Sequence, residues 1–588
     1  MDFNTNSSSE KMAKLLHEKK SARDFQNRKH IDWDENYELY RNKVKVNRLT
    51  QRQLVNIPLM KETIKTILSG ADDAPIVDWK ELSGDEMKEI IYQEIWDQNY
   101  RRENLETKDL QDKKNVLLYG ISTKKLNLDK KGISIDVLDP YDVVYDPNTN
   151  PLEIESAKYI VHQNIFKRLR DILADERYEK KGKEELKVWV ASERGLVQGG
   201  KNKEEYEKKL ERIRAMGVTD ERFGLFAGGD VLVNLTEHYT ELWNPKTKKF
   251  ERRVVVYADD TIELLDEKLE DLIGMDKWPF EFWTEDPETN DLYSDSVADT
   301  IRVPNKIINI WYSQYIENRS LANMGMHWYD ATIDGYKPTT YQPGQGAMLP
   351  APGNPKETIM PLEFNDLGAT LDAIQFVISI AERASGATAL EKGTPETGVQ
   401  TLGEVEILVG KAQERAKTMS KYYKNSWYNL AKKWDEMMQN NSFTPFTLYK
   451  TGLDGKVYNK VVYTSDWKSK AGYEPTVASS SEQESDQLKN IQKFNFVIQQ
   501  FPNNTALKKI LQSRELKLLD LSPQELKEIQ NEEERLMQIA IDQSLNIAPK
   551  EDLGAPAQVA QTQPVNPTVN PSEDTSSELD ELKQLIGV

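Results

Sequence analysis

The apolar positions of the chain fall into long helical stripes separated by short runs of β character. Tyr37, Tyr40 and Val44 recur at i, i+3 and i+7, and Met87, Ile90, Ile91, Ile95 and Tyr100 form a second stripe, so both stretches are expected to be amphipathic helices. Between them the spacing predicts a short strand over 76–79. Residues 1–31 carry no such stripe and read as a flexible polar arm with one helical stretch around 10–20. Over 115–145 the signal turns to β: NVLLYGIS reads as a strand, and GISIDVLDPYDVVYDP alternates Ile133, Ile135 and Val137 before its Asp-Pro turns. Strands are also expected at 157–163, 230–239 and 250–258, with a charged helical insertion over 201–216.

The stretch 286–434 carries the strongest periodicity. Val297, Ile301, Pro304, Ile308, Trp311 and Tyr315 follow a 3,4 spacing, and Arg302, Lys306, Glu317 and Arg319 occupy the other face; Pro304 is expected to start or kink this helix. After Leu321 the chain turns rich in Gly, Pro and aromatics, which predicts short strands and turns. Helix resumes at Asn365, an N-cap residue, with Leu367, Leu371, Ile374, Ile378 and Ala381 on one face. Three glycines and Pro395 break the pattern over 385–400. A helix of roughly 55 Å is then expected over 401–438, at about 1.5 Å per residue. Thr451-Gly452-Leu453-Asp454-Gly455 between two β runs predicts a hairpin. Residues 476–485 read as a polar linker, 487–544 as helical and 548–577 as a flexible tail.

Composition narrows the chemistry. With 588 residues the chain is long enough for several domain-sized units. Lys and Arg total 78 and Asp and Glu 97, a formal charge of −19, which argues against wrapping nucleic acid on a basic surface. There is no cysteine, so disulfides, thiolate metal sites and Cys nucleophiles are excluded. No window of 18 uncharged apolar residues occurs, and no membrane partner is expected. A Walker phosphate loop, a GxGxxG fingerprint, HExxH and a GxSxG elbow are absent. The five histidines have no ligand spacing, and the acidic turns at Asp146 and Asp286 lack the glycine and the final glutamate of a calcium loop. No cofactor, metal or enzymatic activity is expected.

The order of these segments resembles the portal proteins of tailed bacteriophages. Three stretches carry the likeness: VLDPYDVVYDP, WPFEFWTEDPETNDLYSDSVADTIRVPNKIINIWYSQYIENRSL, and SGATALEKGTPETGVQTLGEVEILVGKAQERAKTMSKYYKNSW. The resemblance implies an α+β, predominantly helical fold with wing, stem, clip and crown regions, assembling as a homo-oligomer, usually a ring of twelve. Carried onto this chain, residues 1–31 are the arm, 32–290 an α/β wing, 291–321 the first stem helix with its approach, 322–364 the clip and 365–384 the second stem helix. Residues 385–400 become the tunnel loop, 401–440 the long helix, 441–475 a wing hairpin, 476–545 a helical crown and 546–588 the tail.

Such a ring sits at one capsid vertex of the virion and passes double-stranded DNA. Its implied partners are the terminase large subunit, the major capsid protein, a scaffolding protein and head-tail adaptor proteins. Thr388, Leu390, Glu391, Lys392 and Thr394 are then the loop residues facing DNA, and Trp328, Tyr329, Tyr336, Lys337 and Tyr341 the clip residues facing motor and adaptor. Lys411, Arg415, Lys417 and Lys421, with Lys424, Lys432 and Lys433, form the one locally basic stretch; it can face DNA or pair with acidic residues of the next subunit. A cytosolic helical scaffold without DNA contact is the competing reading, with a motif-poor enzyme such as a nuclease third.

Overall fold

The computed structural model describes residues 8–43, 55–70, 75–129, 132–191, 232–244, 247–289, 291–323, 327–330, 348–351, 359–361, 369–386, 402–451, 457–479 and 535. The chain divides into two units, Met1–Ser522 and Pro523–Val588, and every element below belongs to the first. In chain order the first half contains α1 (Ser8–Tyr40), α2 (Leu59–Gly70), β1 (Pro75–Glu81), α3 (Glu86–Arg102), α4 (Leu105–Tyr119), β2 (Ile121–Asp129), β3 (Gly132–Leu138), β4 (Val143–Tyr145) and β5 (Tyr159–Arg168). Then come α5 (Leu169–Ala174), α6 (Lys180–Ala191), β6 (Leu232–Asn244), β7 (Lys249–Ala258), β8 (Ile262–Lys268), α7 (Leu269–Ile273) and β9 (Phe280–Thr284). The second half contains α8 (Val297–Asn323), β10 (His327–Asp330), β11 (Met348–Ala351), β12 (Ile359–Pro361), α9 (Ala369–Ser385) and α10 (Leu402–Asn440). It ends with β13 (Phe446–Thr451), β14 (Val457–Val462), α11 (Thr464–Trp467) and β15 (Tyr473–Ser479).

The fold is α+β. An antiparallel five-stranded sheet runs β4-β5-β6-β7-β8, and a three-stranded sheet runs β3-β2-β9. Buried aliphatic and aromatic side chains join the two, among them Ile133, Ile135, Tyr145, Ile160, Tyr239, Val256 and Phe282. A second focus is aromatic. Tyr92 of α3 stacks on Tyr473 of β15 with ring centroids 3.8 Å apart, while Trp79, Trp96 and Trp434 meet edge-on or tilted around it. Aromatic side chains bury large apolar areas, so this cluster fixes α3 and α10 against the β1–β15 pair.

Several sequence expectations are corrected. Residues 8–31 are no flexible arm: they belong to α1, whose Leu15, Ala22, Gln26, Trp33, Asn36 and Leu39 are buried at helical spacing. The run NVLLY is the last turn of α4, not a strand, because Gly120 at φ 79° ends that helix and only then does β2 begin. A Cβ at Gly120 would lie 2.2 Å from the Ser294 carbonyl oxygen, so both the turn and the packing require glycine there. Within the β region over 115–145, β2 and β3 form an antiparallel pair, while β4 pairs with β5. Pro304 lies inside α8 and does not start it, since that helix begins at Val297, seven residues earlier, where Ser296 and Asp299 cap it. Residues 476–479 are no linker but the end of β15, which pairs with β1. The expected strands at 76–79, 157–163, 230–239 and 250–258 correspond to β1, β5, β6 and β7, while α6, β8 and β9 were not anticipated. The expected segments 201–216, 487–544 and 548–577 lie outside the described residues apart from Arg535.

Candidate functional site

The helices α8 and α9 pack against each other, with the small sheet β11-β10-β12 formed from the chain between them. β10 is central, parallel to β11 and antiparallel to β12. The start of α8 is locally specified: Ser296 Oγ accepts the Asp299 N–H at 3.1 Å, and Asp299 Oδ2 accepts the Ser296 N–H at 2.8 Å. This reciprocal cap satisfies two otherwise orphaned donors. Further along, Asn305, Asn309 and Ser313 line one buried face at a spacing of four. Asn305 Oδ1 accepts the Met60 N–H at 2.9 Å, Asn309 Oδ1 that of Ile57 at 2.8 Å, and Ser313 Oγ that of Val55 at 2.9 Å. The polar ladder thus receives the backbone leading into α2, a role that the apolar stripe of α8 did not reveal.

The charged face of α8 is also occupied. Arg302 lies 2.7 Å from Asp32, and Lys306 lies 2.5 Å from Glu35, both acids on α1. In contrast, Val303 and Ile310 of α8 and Leu371, Phe376 and Ile380 of α9 are exposed, with Phe376 at 63%. Ile374 and Ala381 of α9 are buried instead. The helix pair therefore keeps an internal seam and leaves a second apolar surface open.

The long helix α10 is anchored through its C-terminal half. Tyr423 OH donates to Asp109 Oδ1 at 2.5 Å, and the same carboxylate pairs with Lys113 at 2.7 Å. Burial pushes the Asp109 carboxyl up despite the lysine beside it. Ser426 Oγ accepts from Lys124 at 3.1 Å, and the Lys124 ammonium lies 5.3 Å from the Trp427 ring centre. Lys433 is buried, 2.9 Å from Glu281 and 2.6 Å from the Phe280 carbonyl. Trp427, Leu430, Trp434, Met437 and Met438 fill the core along the same face.

This geometry corrects part of the basic-stretch reading. Lys433 is buried and neutralised inside its own chain, so it is not available to DNA or to a neighbouring subunit, whereas Lys432 forms an exposed pair with Glu474 at 3.3 Å. Lys421 is exposed on α10, and Lys424 is half-buried. For Lys411, Arg415 and Lys417 the backbone of α10 alone is described. Of the expected clip residues, Trp328 is half-buried in β10, and Tyr329 follows it in the strand, opposite Pro350 and Ile359. Tyr336, Lys337 and Tyr341 lie outside the described residues, as do Thr388, Leu390, Glu391, Lys392 and Thr394.

Among the described residues no group of three or more His, Asp or Glu side chains is placed to hold a metal ion, and no helix is long and apolar enough to cross a membrane. No curated protein matches the chain significantly. The family model described as "Phage SU10 portal protein" matches residues 28–575, which takes in α2 to β15, the second half of α1, and most of the sequence beyond. A match over nearly the whole chain, on a fold whose helix pair, intervening small sheet and long helix follow in that order, places the chain in the phage SU10 portal protein family.

Proposed function

We propose that copies of this chain assemble into the ring at one capsid vertex through which double-stranded DNA is packaged by a terminase motor and later ejected. In this reading α8 and α9 are the stem, the sheet β11-β10-β12 belongs to the clip that meets motor and adaptor proteins, and residues 385–400 form the loop facing DNA. The five-stranded and three-stranded sheets make up the wing, α10 lies behind the loop, and 480–545 form the crown. The observation that carries the reading is the open apolar surface of the helix pair: Val303, Ile310, Leu371, Phe376 and Ile380 stand in water in a single copy. Large apolar side chains exposed together on one helix pair suit an interaction site, and a head-to-tail interface repeated around an axis closes into a ring.

A conduit must let phosphates slide. A chain with a net charge of −19 suits that task, because each strong phosphate contact would act as a brake. Particle imaging together with native mass measurement of the full chain tests the proposal. A closed ring with a central channel is expected, usually of twelve copies; a monomer or dimer at high concentration would overturn it. Deleting residues 388–394 should leave the ring intact and impair packaging, and normal packaging by that variant would remove the loop assignment.

A further inference from the structure

Helix α1 has no glycine or proline across its 33 residues, so it forms an unbroken rod of about 50 Å at 1.5 Å per residue. Its two halves hold different parts of the fold. The first half lies on the five-stranded sheet. Lys11 is 2.6 Å from Glu263 and 2.8 Å from Asp266 on β8, and Lys19 is 2.8 Å from Asp260 at the β7–β8 turn. Glu18 is 3.0 Å from both His238 and Thr240 on β6. Leu15 is buried against Leu242, Val255 and Tyr257, and Ala22 against Val144, Tyr159 and Val161.

The second half lies on α8 and its approach. Arg28 is 2.5 Å from Asp291, Lys29 is 2.7 Å from Asp295, and Asn36 donates to Asp299 at 2.9 Å. Asp32 and Glu35 hold Arg302 and Lys306 on the next two turns of α8. Between the two halves Gln26 is wholly buried and donates to the carbonyls of Pro140 and Val143. The family match begins at residue 28, so the sheet-gripping half lies outside the shared stretch and the α8-gripping half lies within it.

We infer that α1 is a tie rod: its first half grips the five-stranded sheet and its second half the start of α8, so that a displacement of the sheet is transmitted to the helix pair. A stiff helix held at both ends by buried side chains and several ion pairs cannot move at one end alone without breaking contacts at the other. The inference concerns one subunit and does not depend on ring closure.

Hydrogen exchange on the full chain tests it. The double substitution Lys11→Ala with Lys19→Ala removes only sheet-side ion pairs and leaves every α8 contact in place. Exchange of the amides over 298–308, about 280 residues beyond Lys19 in sequence, should rise roughly tenfold along with those of α1. A rise confined to 8–27 and the sheet, with 298–308 unchanged, would overturn the inference. Leu15→Asp serves as a second variant: unchanged 298–308 exchange in a protein whose circular dichroism matches the parent outside the loss of one helix would overturn it equally.

Discussion

The Lys124 ammonium lies 2.7 Å from Asp112 Oδ2, and neither side chain has any exposed surface. The same oxygen accepts the Trp283 indole N–H at 2.8 Å. An ion pair so deeply buried contributes little net stability compared with apolar residues of equal volume, yet removing one partner strands the other charge. Asp112→Ala is therefore expected to cost about 3–5 kcal/mol, and the double change Asp112→Leu with Lys124→Met to recover most of it. Denaturant unfolding of the three variants checks this; equal losses in single and double variants would contradict it.

Acidification should loosen α1 from the sheet. Hydrogen bonds and charge from His238, with Lys14 and Thr240 nearby, outweigh burial and hold the Glu18 carboxyl below the usual range, while burial holds His238 below its ordinary value. Lys19 also faces the histidine, and Tyr257 bonds its other nitrogen. For Glu18 the contribution is full above the unfolded carboxylate pKa and is lost as pH falls through its lowered folded value. For His238 the unfolded ring takes up a proton first, so stability falls as pH drops below about 6.5. Both signs agree. Protection of the amides over 10–22, taken relative to the intrinsic exchange rate at each pH, should fall steadily from pH 7 to pH 4, and the dependence should weaken in His238→Gln.

Glu285, between β9 and α8, acts in the opposite direction. Burial, with Asp286 adding repulsion, pushes its carboxyl up to about 7, against a backbone hydrogen bond from Val297. Its Oε2 is buried without a hydrogen-bond partner among the described residues. A raised acid costs stability as pH climbs from the unfolded carboxylate value through the folded one. Glu285→Gln should hence leave stability unchanged near pH 4 and increase it by up to about 3 kcal/mol at pH 8. Melting curves at the two pH values decide; a gain equal at both would sink the assignment.

Exposed apolar side chains on the helix pair should govern assembly without governing folding. Phe376→Glu combined with Ile380→Glu changes positions that a single copy leaves in water, so its thermal unfolding is expected to shift by no more than about 0.5 kcal/mol. Native mass measurement should show the ring lost or reduced to small species. Rings as abundant as those of the parent would move the subunit contact elsewhere.

Much of the α+β architecture was legible because the long helices carry regular apolar stripes: Ile301 and Ile308 of α8, and Trp427, Leu430 and Trp434 of α10, are all core residues. Helix α1 was legible only in part, as a helical stretch around 10–20 and the stripe beginning at Tyr37, and its continuity and burial escaped for a physical reason. Two of its buried positions are Gln26 and Asn36, and much of its attachment is by ion pairs and hydrogen bonds whose partners lie more than 200 residues away, which no local pattern can display. NVLLY was misassigned because a short apolar run bounded by glycine looks alike as a buried helix end and as a strand. In the candidate site, the basic character of 411–433 was plain in sequence, but its distribution was not. Whether a lysine faces solvent or Glu281 depends on where β9 packs: Lys433 meets Glu281, and Lys421 is exposed.

The pairing of β1 with β15 carries a consequence for synthesis. Pro75 opposes Ser479 across an antiparallel ladder, so the first strand has no partner until about 400 further residues have been made. At roughly 5–20 residues per second the ribosome needs about 20–80 s to supply it. During that interval Val77 and Trp79, both buried in the finished fold, have neither their strand nor the α10 aromatics to cover them. The nascent chain thus stays open at this seam until translation has passed residue 479, and a copy truncated before that point is left with a sticky strand edge.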